Sequence, residues 1–196
     1  MKIWKKLLIA VTAAIVLFFA VEIITTWPVY HAFTKEVNSY DALCKPFRDS
    51  KTVFLPDEDD VPVRGYILLM DGRNILAKPV TYCILKSEDL GDLSVRYNLD
   101  CRTHGETPCS GALEYRGVPY DVVVSDSPSE SGTWHFVNVS FDIEGVFYRF
   151  SAEYQSDELT AEDEKTIQEH LRARLETYAK QVIDKYSAAI TADGGR

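Results

Sequence analysis

The sequence lacks the short motifs that mark the common classes of catalytic site. It contains no Gly-x-Ser-x-Gly elbow, no His-Glu-x-x-His pair and no phosphate-binding glycine loop. No cysteine stands in a context typical of a lone nucleophile, and no internal repeat indicates a repeat architecture. We therefore predict a protein that is not an enzyme and that binds no cofactor and no metal.

Basic residues are outnumbered by acidic ones. The chain has 21 Lys and Arg against 30 Asp and Glu, a net charge of −9. Three of the lysines precede a long apolar stretch, so the rest of the chain carries about −12. Such a surface repels phosphate backbones and anionic headgroups, which argues against nucleic-acid binding. It favours a cationic protein partner, although acidity also keeps proteins soluble.

A long apolar stretch, residues 7–27, stands out from this composition. Thr12 is the only polar residue before position 22, and the 21 residues match the roughly 20 that span a bilayer. Lys2, Lys5 and Lys6 precede the stretch, and positive charge favours the cytoplasmic side. We predict a cytoplasmic segment 1–6, an uncleaved transmembrane anchor, and a domain in the periplasm of a bacterium.

A cleaved signal peptide is the alternative, because a charged start and an apolar core suit it equally. Cleavage after Ala20 would place Phe18 at the minus-three position, and cleavage after Ala32 would place Tyr30 there. Neither residue is small, so the anchor is favoured. Glu22 lies within the anchor near its outer end, and we predict that it contacts a partner helix.

Four cysteines follow the anchor, at Cys44, Cys83, Cys101 and Cys109. An even number in an exported segment predicts two disulfides. Close spacing favours Cys101 with Cys109, which leaves Cys44 with Cys83, but Cys83 could pair with Cys101 if their strands are neighbours. The spacing Cys101-x-x-His104-x-x-x-x-Cys109 also resembles a zinc knuckle, although an oxidising compartment favours the disulfide.

Residues 28–62 are predicted to connect the anchor to the domain. Apolar residues recur every three or four positions in 33–47, which predicts an amphipathic helix. Residues 55–62 hold two prolines and four consecutive acids. They lack the spacing of an EF-hand calcium loop, so we predict a solvated linker.

Residues 63–196 are predicted to form one exported α+β domain. Alternating and apolar runs predict a largely antiparallel sheet of about six strands, at 64–70, 79–85, 93–101, 113–124, 134–143 and 146–154. The fourth run is interrupted by Gly117 and Pro119, and the polar residues 125–132 predict a surface loop.

The last two predicted strands flank Glu144-Gly145, a two-residue hairpin connection. Pairing outward from this turn places five pairs on one face: Ile143 with Val146, Phe141 with Tyr148, Val139 with Phe150, Val137 with Ala152, and His135 with Tyr154. All but the last pair are apolar. A slip by one residue would turn every side chain over, so the register is strongly specified.

A long C-terminal helix is predicted to begin after Thr160, an N-cap followed by three acids within the first turn. Apolar residues then recur every three or four positions to Ile190. Packing of this helix on the apolar face of the sheet is favoured over pairing of two copies in a coiled coil.

The sequence as a whole predicts a single-pass membrane protein that binds another protein. Two roles fit, an accessory subunit of an envelope or secretion assembly and an immunity-type inhibitor of a periplasmic toxin. The alternatives are a hydrolase that uses His104 or His135 with Glu106 or Asp126, and a single-pass sensor. A hydrolase would require a histidine and a carboxylate within hydrogen-bond reach.

Overall fold

The computed structural model describes residue 12 and residues 15–18, 33–70, 79–102, 110–156 and 159–194. Its centre is one antiparallel sheet of eight strands in the order β1-β2-β3-β4-β8-β7-β6-β5. The strands are β1 (Phe33–Val37), β2 (Val63–Met70), β3 (Pro79–Leu90), β4 (Leu93–Arg102), β5 (Leu113–Tyr115), β6 (Val118–Ser129), β7 (Gly132–Ile143) and β8 (Val146–Ser156). The α+β class is confirmed, while the predicted number of about six strands is too low.

One additional strand comes from the segment predicted as an amphipathic helix. Residues Phe33–Val37 pair with β2 as β1, and only Tyr40–Cys44 form a helix, α1, followed by a 3-10 turn at Lys45–Phe47. Ser39 explains the late start, because its side chain accepts a hydrogen bond from the backbone of Ala42 as an N-cap. The spacing of apolar residues could not show that Phe33–Val37 would pair with the edge of β2.

The other additional strand results from a tight turn within the interrupted run 113–124, which was predicted as one strand. Arg116 and Gly117 both have positive φ, 49° and 80°, and reverse the chain between β5 and β6. The predicted loop at 125–132 is also wrong. β6 and β7 stay paired as far as Ser129 with Gly132. Residues 125–129 are exposed, so their polar composition is compatible with a strand as well as with a loop.

The hairpin between β7 and β8 has the predicted register. All five predicted pairs, from Ile143 with Val146 to His135 with Tyr154, are present. Glu144 and Gly145 have φ of 51° and 81°, as a type I′ turn requires. The five pairs define the face of the sheet that forms the core, where the ring centroids of Phe141 and Tyr148 are 4.7 Å apart and the rings are stacked.

The C-terminal helix α2 (Ala161–Gly194) covers this face. Thr160 caps it as predicted, because its hydroxyl accepts a hydrogen bond from the backbone of Asp163 at 3.2 Å. Leu171 and Leu175 are fully buried, which confirms that the apolar stripe packs on the domain.

The acidic segment 55–62 has no regular structure, as predicted, but it is not a solvated linker. Leu55 and Val61 are buried in the core, and Asp59 forms an ion pair with Lys86 of β3. Apolar residues between the acids therefore hold the segment against the sheet and α2.

Most of the predicted anchor, including Glu22, lies outside the described residues. Thr12 and residues 15–18 are helical, and the latter are more than half exposed except Ile15 at 50%. No helix within the described part of the chain has both the length and the apolar character needed to cross a membrane.

Candidate functional site

Three strands bring polar side chains together at one end of the sheet. Asp126 of β6 is opposite His135 of β7, and His135 is opposite Tyr154 of β8. The alternation of each strand places all three on the face that α2 covers. This cross-strand row is the end of the core, next to the row that contains Val137 and Ala152.

His135 is held between two carboxylates. Its Nδ1 lies 2.8 Å from Oδ1 of Asp126 and 3.3 Å from Oε1 of Glu164, in the first turn of α2. Glu164 also accepts a hydrogen bond from Nε2 of Gln168 at 2.8 Å. The His135 side chain is 9% exposed, that of Glu164 30% and that of Asp126 51%. Solvent therefore reaches the cluster from the carboxylate side.

Tyr154 forms one wall of the cluster. Its ring is stacked on His135 with centroids 4.8 Å apart and an interplanar angle of 18°. The side chain is fully buried. Burial raises the pKa of Tyr154 to about 12; a side-chain hydrogen bond with Gln168 opposes the rise, and the charges of Glu164 and Asp126 add to it. The hydroxyl therefore lies among the polar groups of the cluster.

This arrangement permits two kinds of chemistry. A histidine oriented by an aspartate is the base of a nucleophile–base–orienter triad, but no nucleophilic side chain in the described ranges hydrogen-bonds to His135. The second possibility is cation binding, because one ligand atom from each of Asp126, His135 and Glu164 lies within 4.8 Å of the others.

The sequence anticipated part of this cluster. The hydrolase alternative named His135 and Asp126, and the structure brings them into contact. Glu164 was missed because an acid in the first turn of a helix is already explained by the helix dipole. Only the packing of α2 places it beside His135.

A second candidate site is the edge of β6. β5 pairs with residues 118–120 only, and the side chain of Asp121 accepts hydrogen bonds from residues 110–112. Beyond this point no strand in the described ranges pairs with the outer side of residues 122–129. Val123 and Val124 on this edge are 52% and 46% exposed. β6 contains Asp121 and Asp126 but no Lys or Arg, so the edge is acidic.

The oxidation state of the cysteines is relevant to the cellular compartment of the protein and not to catalysis. Cys44, Cys83 and Cys101 are unbridged thiols, and Cys109 lies outside the described residues. Cys83 and Cys101 are on neighbouring strands as anticipated, but their positions in the ladder place them on opposite faces of the sheet. Burial raises the pKa of the Cys44 thiol, and the charge of nearby Lys185 on α2 lowers it. Cys44 therefore lies on the helix side of the sheet, away from Cys83. The disulfide assignments stay predictions.

These thiols are also poor nucleophiles. Burial raises the pKa of Cys83 to about 12 and raises the pKa of Cys101 as well, which lowers the fraction of reactive thiolate. The environment of the described cysteines therefore does not favour thiol catalysis.

The remaining candidate residues are not brought together. His170 is exposed on α2 beside Glu169. The others, Glu22, His31, His104 and Glu106, lie outside the described residues.

Comparison with known proteins does not assign the chain to a family. It matches no protein-family model, no curated protein and no solved structure. The chemistry of the described sites is therefore what supports a function.

Proposed function

We propose that the protein is a non-enzymatic binding protein, anchored by one helix in the bacterial inner membrane, that binds a partner protein in the periplasm. The observation that carries the proposal is the edge of β6 beyond Asp121, with which no strand in the described ranges pairs. Unpaired N–H and C=O groups on an edge strand are a template for a strand from another chain, and natural proteins usually cover or shorten such edges.

The dimensions of the edge suit a peptide strand. Residues 122–127 precede Pro128, which disfavours further pairing, and six residues equal a typical strand of about 20 Å. The occupant that we propose is an extended, Lys- or Arg-containing segment of the partner, because β6 contains two aspartates and no Lys or Arg.

The proposed location rests on the N-terminal sequence. Residues 7–27 have the length and composition of a membrane anchor, with lysines on the proposed cytoplasmic side. Residues 15–18 are helical and expose half or more of their apolar surface.

Two roles remain within this proposal, an accessory subunit of an envelope or secretion assembly and an immunity-type inhibitor of a periplasmic toxin. Glu22 distinguishes them, because a carboxylate in an anchor favours a partner helix in an assembly. Glu22→Leu should weaken an assembly in the membrane. It should leave capture of a soluble toxin unchanged.

The test starts with the full-length protein in mild detergent under non-reducing conditions and identifies stoichiometric partners by mass spectrometry. The decisive step compares Val123→Lys with Ile190→Lys. Both residues are about half exposed, but only Val123 lies on the edge. We expect Val123→Lys to lose the partner and Ile190→Lys to keep it, because edge lysines block strand addition.

Hydrogen exchange provides a second readout of the same contact. A bound strand should protect backbone amides of residues 122–127 from exchange. Retention of the partner by Val123→Lys, or unchanged exchange along β6 in the complex, would refute strand addition.

A hydrolase is the second candidate, and the 2.8 Å contact between His135 and Asp126 favours it. It requires a nucleophile within reach of His135, supplied by a side chain or a water molecule. A screen of the full-length protein with ester, amide and phosphoester substrates would support it if activity disappears in His135→Gln and persists in His170→Gln.

A further inference from the structure

We infer that Asp126, His135 and Glu164 form a binding site for a divalent transition-metal ion, with Zn²⁺ as the natural occupant. The inference is independent of strand addition at β6, and it departs from the absence of a metal expected from the sequence. It rests on donor type, on donor spacing and on the burial of His135 between the two carboxylates.

The spacing of the donor atoms fits a metal centre. Ligand atoms about 2.0–2.2 Å from a tetrahedral zinc ion are about 3.3–3.6 Å from one another. Larger ligand–zinc–ligand angles increase this separation. The two separations from His135 Nδ1 are 2.8 Å to Asp126 and 3.3 Å to Glu164, and all three donors lie within 4.8 Å. Small side-chain adjustments therefore bring them around one ion.

The donor types narrow the choice of ion. Imidazole suits Zn²⁺ and its transition-metal neighbours better than Ca²⁺ or Mg²⁺, which prefer oxygen ligands. Two carboxylates neutralise the charge of a divalent ion, so the site carries no net charge when it is filled. Three protein ligands leave a fourth position for water, on the side where Asp126 is half exposed.

Tyr154 shapes the site without being a ligand. Its fully buried ring is stacked on His135, with centroids 4.8 Å apart and an interplanar angle of 18°. This stacking fixes the orientation of the imidazole, and its Nδ1 faces both carboxylates. A ligand nitrogen held in one orientation by its surroundings is what a metal site requires.

The competing explanation is that the cluster binds a proton and no metal ion. The Nδ1 proton of His135 can be shared by the two carboxylates, and the cluster would then only attach the start of α2 to the sheet. This explanation predicts no stoichiometric Co²⁺ binding and no rise of the melting temperature with Zn²⁺.

The experiment uses the full-length protein in mild detergent, treated with a chelator and then titrated with Co²⁺ and Zn²⁺. Co²⁺ reports the ligands by its visible absorption. We expect one equivalent to bind with d–d bands and without thiolate charge transfer, and Zn²⁺ to displace it. The same spectrum with thiolate charge transfer would assign the ion to the cysteines and overturn the inference.

Variants test the residues. His135→Gln and Glu164→Gln should each weaken Zn²⁺ binding by more than about 100-fold, since even outer-shell changes cost about 10- to 100-fold. His170 and Glu169 are exposed on α2, the helix that contains Glu164. His170→Gln and Glu169→Gln are therefore the matched controls and should bind Zn²⁺ as tightly as the unaltered protein does. Circular dichroism and thermal melting establish that each variant is folded.

Melting provides a readout that does not depend on absorption. Zn²⁺ should raise the melting temperature of the unaltered protein and of the controls, because a ligand that binds only the folded state stabilises it. It should not raise the melting temperature of His135→Gln or Glu164→Gln. Equal Zn²⁺ affinity in Glu164→Gln and the unaltered protein, both folded, would overturn the site.

Discussion

Asp59→Asn is the substitution whose effect the structure specifies most closely. Lys86 of β3 faces α2 with its side chain 3% exposed, and its ammonium forms an ion pair with Oδ1 of Asp59. The Tyr178 hydroxyl donates to the other oxygen of Asp59, and Arg174 lies 3.6 Å from that oxygen. One carboxylate thus compensates a buried lysine and joins residues 55–62 to the sheet and α2.

Removal of this charge should be costly. Asparagine has nearly the same shape, but it leaves the Lys86 ammonium buried without a counterion. Breaking a buried ion pair in this way costs about 3–5 kcal/mol, which for a domain of this size lowers the melting temperature by about 6–20 °C. Truncation of an exposed ion pair would cost about 1 kcal/mol or less.

The contribution of Asp59 also depends on pH. Burial raises the pKa of Asp59, but hydrogen bonds from Lys86 and Tyr178 lower it, and the net pKa is below its ordinary value. A carboxyl group whose pKa is lower in the folded than in the unfolded state stabilises the fold. The contribution is complete above the unfolded pKa of about 3.9, and it is lost as the pH falls through the folded pKa. The difference between Asp59→Asn and the unaltered protein should therefore narrow below about pH 4.

The assay is thermal melting and urea unfolding, followed by circular dichroism, of Asp59→Asn beside Asp60→Asn. Asp60 is the exposed neighbour, so the same chemical change there should have little effect. Adding Lys86→Met to Asp59→Asn should recover most of the loss, because no unpaired charge stays buried. Equal stability of the Asp59 and Asp60 variants would refute the reasoning.

Four further substitutions have expected outcomes, each measurable by urea unfolding. Gly145→Ala should destabilise by about 1 kcal/mol or more, because φ at this position is 81°. Gly65→Ala should stabilise by about 0.5 kcal/mol, since an added Cβ meets nothing within 4 Å and strands disfavour glycine. Thr160→Ala should cost about 1 kcal/mol through loss of the cap on α2, and a loss below the error of measurement would contradict that role. Tyr154→Phe should change stability by about 1 kcal/mol or less, because loss of the hydrogen bond with Gln168 is offset by removal of a buried hydroxyl, and a larger destabilisation would contradict this balance.

The β7–β8 hairpin could be predicted residue by residue because two local rules agree on it. The Glu144-Gly145 turn sets the register, and the alternation of apolar residues sets which face is buried. The helix α2 was equally predictable from the Thr160 cap and its apolar stripe. In each case the determining interactions lie close together in the sequence.

The errors arise where a distant part of the chain decides the outcome. Phe33–Val37 has apolar spacing compatible with a helix, but pairing with β2 makes it a strand. Asp59 stands in a run of four acids that resembles a solvated linker, and nothing in that run indicates a buried lysine on β3. The contact of Glu164 with His135 likewise depends on where α2 crosses the sheet.

The two polar clusters beneath α2 differ in what they leave available. Lys86 is nearly inaccessible, and its charge is compensated within the fold by Asp59. The cluster at His135 is open on its carboxylate side, where Asp126 is half exposed. Loss of Asp59 should therefore lower stability without changing Zn²⁺ affinity, whereas Glu164→Gln should abolish Zn²⁺ binding with little effect on the stability of the metal-free protein. If one substitution changed both properties equally, the clusters would be a single cooperative unit, and a separate binding role for His135 would no longer be needed.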